Sequence, residues 1–362
     1  MILLYENEII ISFFCIFAIA KMDLNMNDDC LLSIIVPVYN VEKYIRVSIE
    51  SIFRQNLDEK CFEVIIVNDG TKDCSMEVIL DIISQHSNIS VVNQENLGLS
   101  VARNNGIAKA KGEYILMPDS DDFLIDDSLS VLLDKAIASK VDIVVADFLE
   151  MTDEEIDHTT TIPQKDLQIK EKTGEELFLE DLNPHQCYVW RTLFRREFLL
   201  KNNLQFVPGI RYQDVPFTHE CYLKAKRCLK TPWLLNIYRR GHESATYSFN
   251  KKKAKELCIA ISNTWKLRQL ENLPPEVLLK LNDDIFTSFT LLIYFMLYGI
   301  KSPKERKEIF AFLRKEIPDL SFSNGLKQII TSFLYNSSPL FYFSLRQMLK
   351  WCTPRPNTGF SD

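Results

Sequence analysis

Residues 31–40 read LLSIIVPVYN, and this stretch decides the fold. The β-branched run that ends at Val36 predicts a buried strand, and Pro37 ends it because proline lacks the backbone N–H that a strand ladder needs. The pattern returns in FEVIIVNDG at residues 62–70 and in YILMPDSDD at residues 114–122. In each case an apolar strand leads directly into polar residues, so polar groups are expected at the carboxyl ends of neighbouring strands.

The segments between these strands have the helical spacing of apolar residues. Residues 41–55 are expected to form the first helix, with Asn40 as its N-cap. Further elements are expected as helices over 73–86, 97–111 and 128–139 and as strands over 89–93 and 142–148. Alternating strands and helices predict an α/β fold, with a mostly parallel, Rossmann-like sheet flanked by helices. In such sheets, ligands bind beyond the carboxyl ends of the strands.

Small residues recur every four positions in the helix that is expected over residues 97–111. They are Ala102, Gly106 and Ala110, and such a stripe lets a helix pack closely against a sheet. Glycine is scarce in this chain, with 10 in 362 residues, yet four of them are Gly70, Gly98, Gly106 and Gly112. We therefore expect the backbone of this region to need glycine for tight turns or close approach.

The second half of the chain has weaker patterns. A loop is expected over 151–172, a helix over 188–202, a turn-rich segment over 205–216, a strand over 229–238 and helices from residue 251 onward. The sequence thus predicts four regions. They are an N-terminal extension (1–30), an α/β core (31–150), a region that completes its site (151–250) and a C-terminal helical subdomain (251–362).

Composition excludes several classes of protein. With 46% hydrophobic and 25% charged residues, the chain is globular rather than disordered or fibrous. Its net charge of -7 and pI near 5.5 argue against a nucleic-acid partner. The nine cysteines contain no C-x-x-C pair, which disfavours a zinc ribbon or a redox dithiol, and their odd number suits the reducing cytoplasm.

Two apolar segments leave alternatives open. Residues 9–20 are too short for a spanning helix and lack a basic region before them, so a start of translation at Met22 or Met26, a packed extension and a membrane anchor all remain. The aromatic helices after residue 251 can form a subdomain core, which is favoured, or lie on the inner face of the cell membrane. Association of several copies also stays open. The residues concerned are the aromatic Phe286, Phe289, Tyr294, Phe295, Phe341, Tyr342, Phe343 and Trp351 and the basic Lys327, Arg346 and Lys350.

The acidic run Asp119-Ser-Asp-Asp122 directly follows a predicted strand. Clustered carboxylates repel one another unless a cation lies among them, and their hard oxygen atoms suit Mg²⁺ or Mn²⁺. The alternative is an acidic loop that caps the helix beginning near Ser128. The chain has neither a G-x-G-x-x-G nor a G-x-x-x-x-G-K-[ST] sequence, which disfavours nicotinamide chemistry and P-loop phosphoryl transfer.

Four motifs, in this order and spacing, resemble glycosyltransferase family 2: PVYN at residues 37–40, VNDG at 67–70, NLGLSVARN at 96–104 and DSDD at 119–122. The resemblance is dense from Leu32 to about Phe148 and weaker from Tyr188 to Ser248. It implies the GT-A fold, with residues 31–150 as the nucleotide-sugar-binding core and residues 151–250 as the acceptor side. It also implies a nucleotide-sugar donor, in the first instance a UDP-sugar, and a glycan or lipid-linked acceptor.

The resemblance implies roles for individual residues on the donor side. Pro37 and Tyr39 would flank the nucleobase, and Asp69 would hydrogen-bond uracil. Asp121 would hold the divalent metal cofactor, Mn²⁺ or Mg²⁺. The residues implied near the ribose, the sugar or the phosphates are Gly98, Arg103, Asn104, Asp119 and Ser120.

Residues 213–217 read QDVPF, where the family commonly has a Glu-Asp pair before Pro-Phe. The resemblance implies that Asp214 is the catalytic base, while Gln213 departs from the pattern. It also places Arg239 and Arg240 near the diphosphate and His242 near the metal. Together these roles imply an inverting transfer, in which Asp214 deprotonates the acceptor hydroxyl.

Two other functions could use the same residues. Haloacid-dehalogenase-type phosphatases also carry Asp-x-Asp after a strand, and there Asp119 would be the nucleophile and Asp121 the acid. That motif normally follows the first strand, whereas three predicted strands precede it here. The other alternative is a non-catalytic nucleotide-sugar-binding subunit, which only Gln213 favours.

Overall fold

The computed structural model describes residues 30–158, 162–241, 250–322 and 324–337 of the chain. Within these residues, a nine-stranded sheet forms the centre of the fold. Its strands in chain order are β1 Leu32–Val38, β2 Phe62–Asn68, β3 Ile89–Asn93, β4 Tyr114–Leu116, β5 Phe123–Leu124, β6 Ile143–Thr152, β7 Lys170–Lys172, β8 Thr192–Arg195 and β9 Cys228–Arg240.

The strands lie in the order β3-β2-β1-β4-β8-β6-β9-β5, and β7 also pairs with β9. The first four run parallel to one another. β8 is antiparallel to both β4 and β6, and β9 is parallel to β6 but antiparallel to β5 and β7. The structure therefore confirms an α/β fold whose parallel half comes from the first strands, and it adds a mixed half from the later ones.

Helices cover the sheet and extend the chain beyond it. The α-helices are α1 Ile45–Ile52, α2 Leu80–Gln85, α3 Leu99–Lys109, α4 Leu129–Ser139, α5 Asp153–His158, α6 Gly174–Glu176, α7 Arg196–Lys201, α8 Asp214–Lys224, α9 Lys251–Lys266, α10 Pro275–Tyr298, α11 Pro303–Glu316 and α12 Gly325–Ser337. Short 3₁₀ segments occur at Glu77–Ile79, Val189–Arg191 and Leu267–Gln269, and a π-helical turn at Leu177–Asp181.

The register of the parallel strands brings their polar ends together. Val38 pairs with Asn68 at the ends of β1 and β2, and Ile34 of β1 pairs with Leu116 at the end of β4. The residues that follow these three strands therefore emerge at the same edge of the sheet, as the sequence predicts. This edge is where ligands bind in parallel α/β sheets.

The β1 run is apolar at successive positions because both faces of the sheet are covered. Ile34 and Val36 join one buried cluster, to which α1 and α4 contribute Ile49 and Leu132. Ile35 points to the other face and joins the cluster that contains Ala102 of α3. The two clusters hold the sheet rigidly between layers, so the loops at its carboxyl edge have a fixed base.

The small-residue stripe of α3 does lie against the sheet. A Cβ added at Gly106 would meet the Ile35 Cγ2 atom at 2.2 Å, which is closer than non-bonded carbon atoms can approach. The helix therefore packs on β1 at a distance that only glycine permits. This close packing sets the position of the α3 residues that face the site described below.

We expect Gly106→Ala to destabilise the fold by about 1–3 kcal/mol, because the added methyl group overpacks the interface with Ile35. The loss should appear even though alanine favours helix over glycine by about 1 kcal/mol. Chemical denaturation measures the change in the free energy of unfolding. Lys109→Ala, an exposed position on the same helix, is the control and should stay within about 0.5 kcal/mol of the parent. A Gly106→Ala variant as stable as the parent would show that the helix can move away from the sheet.

The helix predicted over residues 188–202 is wrong in its first half. A 3₁₀ turn at Val189–Arg191 leads into β8, and only α7 is helical. β8 fills the gap between β4 and β6, where Phe194 pairs with Ile115 on one side and Ile143 on the other. Pairing on both edges outweighs the local helical spacing, which a single sequence segment cannot reveal.

Three smaller predictions also need correction. Asn40 does not cap the first helix, because its φ is 54° and α1 starts five residues later. The helix predicted over 73–86 is a 3₁₀ turn followed by the short α2. Residues 151–172 are not a simple loop: β6 continues to Thr152, which forms reciprocal hydrogen bonds with Glu155 at the start of α5. That capping-box pattern was readable in the sequence.

The C-terminal helical region packs through its aromatic residues. Phe286 and Phe289 of α10 are buried, and both rings contact Phe322. The favoured interpretation, core packing, therefore holds for these two residues. Positions 338–362 and 1–29, with the apolar run 9–20 and the aromatic cluster at 341–343, lie outside the described residues. Among the helices that the structure describes, none is long and apolar enough to cross a membrane.

Candidate functional site

Three carboxylates meet in the loop that follows β4. Asp119, Asp121 and Asp122 each offer an oxygen atom, and these atoms all lie within 4.8 Å of one another. Asp122, which the motif comparison did not assign, is the most buried of the three, with 3% of its surface exposed. It is held there because β9 runs past it, and the backbone N–H of Arg239 donates to its Oδ1 atom at 2.8 Å.

The three carboxyl groups of the acidic cluster repel one another when they are ionised, and a cation among them would offset that repulsion. Burial, followed by repulsion from Asp121 and Asp119, raises the pKa of Asp122 to about 9. Burial also raises the pKa of Asp119 to about 7, against the opposing effect of Arg103. The Asp122 Oδ2 atom is buried and has no hydrogen-bond partner. Converging carboxylate oxygens with an unsatisfied acceptor fit a divalent cation of the Mg²⁺ or Mn²⁺ type.

These raised pKa values predict how stability depends on pH in the presence of a chelator. Unfolded Asp residues ionise near pH 4, so between that value and pH 9 the folded chain binds more protons than the unfolded chain. The free energy of unfolding should therefore fall as the pH rises from about 4 to about 9, and more steeply below about 7, where both groups contribute. Mn²⁺ should reduce this fall, since it takes the place of the protons. Melting temperatures in EDTA and in Mn²⁺ measure both effects, with Asp122→Asn giving a shallower slope in EDTA. A melting temperature that rises over this range in EDTA would contradict the prediction.

Arg103 joins the acidic cluster to the candidate base. Its side chain is fully buried, donating from Nη2 to Asp119 Oδ1 at 2.6 Å and from Nη1 to Asp214 Oδ1 at 2.7 Å. Arg103 comes from α3, while Asp214 is the first residue of α8, so the guanidinium connects two helices across the site. The ring of Phe206 lies 5.2 Å from the guanidinium carbon and covers it. A buried charge of this kind is stable only because it is paired on both sides.

Asp214 combines partial exposure with a raised pKa. Its side chain is 27% exposed, so a hydroxyl group can reach it. Burial raises its pKa above the usual value, and the neighbouring Arg103 charge and hydrogen bond oppose that rise. A carboxylate with a raised pKa is a stronger base than an ordinary aspartate, and the pairing with Arg103 favours its ionised form.

Gln213 is buried, and its position explains why the chain has an amide where the family commonly has an acid. With its amide oriented to pair donors with acceptors, the nitrogen donates to the carbonyl oxygens of Ile210 at 2.6 Å and Arg211 at 2.8 Å. Its oxygen accepts from Arg103 Nη1 at 3.3 Å. An ionised glutamate could not donate to those two carbonyl groups. Gln213 thus fixes the turn before α8, and its presence does not remove the base.

Asp69 shapes the loop at the start of α3. Its Oδ1 atom accepts from Gln94 Nε2 at 2.7 Å and from Leu97 N at 2.8 Å, and its Oδ2 atom accepts from Gly98 N at 2.9 Å. Gly98 has a φ of 89°, which disfavours any other residue at the helix start. The carboxylate therefore already has three protein donors, and it can accept at most one further hydrogen bond from a ligand.

A cavity of about 640 Å³ opens between the carboxyl ends of β1, β2 and β4, which is a typical size for a small-molecule site. It is lined by most of the residues predicted from the sequence: Pro37, Tyr39, Asp69, Gly98, Asp119, Ser120 and Asp121. The far wall was not predicted. It consists of Gly209, Ile210, Arg211 and Gln213 before α8 and of Lys252 and Glu256 on α9. Only the turn-rich composition of 205–216 hinted at this wall.

Some of the predicted site residues do not line the cavity but hold the segments around it in place. Asn104 forms two hydrogen bonds with the backbone of Phe206 and so ties α3 to the far wall. Arg239 donates from Nε to the Asp121 carbonyl oxygen at 3.1 Å and pairs with Asp153, which anchors the acidic cluster. Arg240 is exposed and lies beside Glu150. His242 lies outside the described residues.

Comparison with known proteins finds a family likeness over part of the chain. The model of glycosyl transferase family 2 matches residues 33–201. An uncharacterized glycosyltransferase of Bacillus subtilis (strain 168), EpsJ, is 37% identical over 221 residues. The match covers 60% of this chain and 63% of EpsJ, so the chain spans less than two thirds of that relative.

Two solved structures share the fold. S. aureus TarS 1-349, crystallised with UDP-GlcNAc, has a TM-score of 0.70 at 18% identity, over 89% of this chain and 92% of that one. The mannosyltransferase PcManGT from Pyrobaculum calidifontis, in complex with GDP-Man and Mn²⁺, has a TM-score of 0.50 at 14% identity, over 89% and 88%. The GT-A fold implied by the four motifs is thereby confirmed. Residues 33–201 match the model of glycosyl transferase family 2, the family that the four motifs resemble.

Proposed function

We propose that this chain transfers a sugar from a nucleotide sugar, specifically a UDP-sugar, to a hydroxyl group of a glycan or lipid-linked acceptor, with inversion at the anomeric carbon. The observation that carries the proposal is the bridge from Asp119 through Arg103 to Asp214. It sets a candidate base in the same network as the acidic cluster that borders the cavity. The UDP-GlcNAc complex of TarS supports a UDP-sugar as donor.

Asp214 is the proposed catalytic base. Arg103 fixes its carboxylate through Oδ1, and the partly exposed side chain accepts the proton of the acceptor hydroxyl as that oxygen attacks the sugar. Attack on the face opposite the leaving diphosphate inverts the anomeric centre in a single displacement. Positioning of the base by a buried ion pair contributes to the rate, because the reacting oxygen and the base must meet at hydrogen-bond distance.

The acidic cluster and the cavity are the proposed donor site. Asp121 and Asp122 would hold the divalent cation, and Asp119, which Arg103 orients, would face the sugar or ribose. When bound, the cation would neutralise the charge of the nucleoside diphosphate leaving group. Pro37 and Tyr39 would flank the base, and the remaining acceptor capacity of Asp69 would reach uracil.

A thermal-shift panel of UDP-, GDP- and TDP-sugars, each with and without Mn²⁺, tests the donor. A ligand at about 100 times its dissociation constant stabilises the folded state by about 2.7 kcal/mol. We expect a UDP-sugar with Mn²⁺ to give the largest shift, and UDP release to accompany transfer. Release of phosphate from simple phosphate esters would instead support the phosphatase alternative. Donor binding with neither hydrolysis nor transfer would support the non-catalytic one.

We also propose that the enzyme works in the reducing cytoplasm. The seven cysteines within the described residues are all free thiols, which supports this compartment. Peripheral contact with the inner face of the membrane is supported by exposed apolar residues on α12, namely Leu326, Ile329, Ile330 and Phe333. Sedimentation with anionic liposomes at low salt tests that contact, and a protein that stays in the supernatant would argue against it.

A further inference from the structure

Three aromatic residues form a cluster beside the acidic cluster. Trp190 is buried and stacks with two half-buried tyrosines, with ring centroids 4.7 Å from Tyr188 and 5.6 Å from Tyr238. The interplanar angles are 16° and 23°, so both tyrosine rings are close to parallel with the indole. We call Tyr188 and Tyr238, as supported by Trp190, the aromatic platform.

The distances show that both tyrosines lie on the same face of Trp190. If they lay on opposite faces, their centroids would be separated by almost the sum of their distances to the indole. The observed separation is 5.8 Å, with an angle of 38° between the rings. Two phenol rings therefore lie side by side on one face of the indole. Phe148 meets Tyr188 and Trp190 edge-on, at angles of 86° and 89°, and so holds the rings in place.

The segments that bear the two tyrosines are hydrogen-bonded to the two parts of the proposed active site. Tyr238 immediately precedes Arg239, whose backbone N–H binds Asp122 and whose Nε binds the Asp121 carbonyl oxygen. Tyr188 immediately follows Cys187, whose carbonyl oxygen accepts from Thr218 on α8, one turn after Asp214. The strand that bears one ring is thus fixed to the acidic cluster, and the loop that bears the other is fixed to the helix of the base. Carboxylates of the acidic cluster, after burial, help to raise the pKa of Tyr238, which agrees with this placement.

The cavity proposed for the donor does not include the platform. The residues that line the 640 Å³ cavity come from the ends of β1, β2 and β4, from the turn before α8 and from α9, and neither tyrosine is among them. Within the described residues, neither phenol hydroxyl has a hydrogen-bond partner in the protein. The exposed Arg240 guanidinium lies over the Tyr238 ring, with its carbon atom 5.9 Å from the ring centroid, and its Nε atom is 3.4 Å from Glu150 Oε2.

We propose that the aromatic platform is a subsite for a pyranose ring of the acceptor glycan. The axial C–H groups on one face of a pyranose carry partial positive charge, and they stack on the electron-rich face of an aromatic ring. The phenol hydroxyls, Arg240 and Glu150 offer donors and acceptors for the equatorial hydroxyl groups around that face. The inference rests on the proposed function, because it assigns the platform to the acceptor of the proposed transfer.

Saturation-transfer NMR tests the platform with two soluble saccharides, methyl β-D-glucopyranoside and N,N′-diacetylchitobiose. We expect the wild-type protein, with UDP and Mn²⁺ present, to transfer saturation mainly to axial ring protons. The double variant Tyr188→Ala/Tyr238→Ala should bind about tenfold more weakly, and Tyr188→Phe/Tyr238→Phe should keep most of the transfer, because it keeps both ring faces. Tyr294→Ala is the matched control. The ring centroids of Tyr294 and Tyr298 lie 4.6 Å apart in a tyrosine pair on α10, and loss of Tyr294 should leave saccharide binding unchanged.

Donor hydrolysis keeps the failure of this inference distinct from the failure of the proposed function. UDP released from UDP-GlcNAc without an acceptor reports the donor site alone, and it should be the same in the wild type and in the Tyr294→Ala control. If no donor is hydrolysed but saccharide binding is lost with the tyrosines, the platform is supported and the proposed reaction is not. Absence of transfer to either saccharide in the wild type, or equal transfer in the double alanine variant, would overturn the platform. Thermal melts show whether each variant is folded. If the double alanine variant does not fold, saccharide binding by the double phenylalanine variant tests the platform in its place.

Discussion

Asp214→Asn is expected to lower the rate of sugar transfer by about 10²–10⁴-fold, which is the usual contribution of a general base. The amide keeps the shape of the carboxylate, and its oxygen can still accept from Arg103 Nη1, so the buried guanidinium retains a partner on that side. What is lost is the ability to take the acceptor proton. Steady-state rates of UDP release with an acceptor measure the loss, and the thermal shift by a UDP-sugar shows that the donor site survives.

Glu220→Gln is the matched control for this variant. Glu220 lies on the same helix and pairs with Lys224, four residues later; both side chains are partly exposed. Removal of such a helical pair costs about 0.5 kcal/mol and should leave transfer unchanged. Turnover near the wild-type value in Asp214→Asn would contradict the base assignment, and a deficit confined to donor binding would give Asp214 a positioning role only.

Asp121→Asn is expected to lower transfer by about 100-fold or more, because it removes a proposed ligand of the divalent cation, and changes in the surrounding shell alone cost 10–100-fold. The same change should weaken the thermal shift that Mn²⁺ produces, since one carboxylate of the acidic cluster is neutralised. Removal of the metal with EDTA should reproduce the loss in the wild type, and added Mn²⁺ should restore it there but not in the variant.

Asp126→Asn is the control. Asp126 is an exposed carboxylate in the loop after β5, and among the described ion pairs it pairs only with Arg54. It should keep both activity and the response to Mn²⁺. An Asp121→Asn variant with wild-type activity and an unchanged Mn²⁺ shift would exclude Asp121 as a metal ligand. Activity that resists EDTA in the wild type would exclude metal dependence altogether.

The residues that could be predicted from the sequence are those whose roles depend on local pattern. Each of β1, β2 and β4 is an apolar run that leads into a polar motif, so the gathering of Tyr39, Asp69 and Asp119 at one edge follows from parallel pairing. The resemblance to family motifs supplied Asp214, which has no local signature of its own.

The contacts that unite the site could not be predicted in this way. Arg103 and Asp214 are 111 positions apart, and nothing in either segment indicates the partner. Asp122 was visible as part of an acidic run, but its burial depends on the passage of β9 beside it. The role of Gln213 depends on two carbonyl groups of a turn whose geometry is set by the tertiary fold. Long-range pairing also overrode the helical spacing at residues 188–195.

The shared guanidinium has a consequence for the timing of charge in the proposed reaction. Arg103 divides one positive charge between the carboxyl groups of Asp119 and Asp214. Once Asp214 has taken the acceptor proton, it no longer competes for that charge, and the guanidinium interacts with Asp119 alone. Positive potential therefore shifts toward the donor side at the moment when the diphosphate departs with its negative charge. The Arg103 guanidinium would thus couple proton uptake by Asp214 to the departure of the diphosphate on the other side of the site.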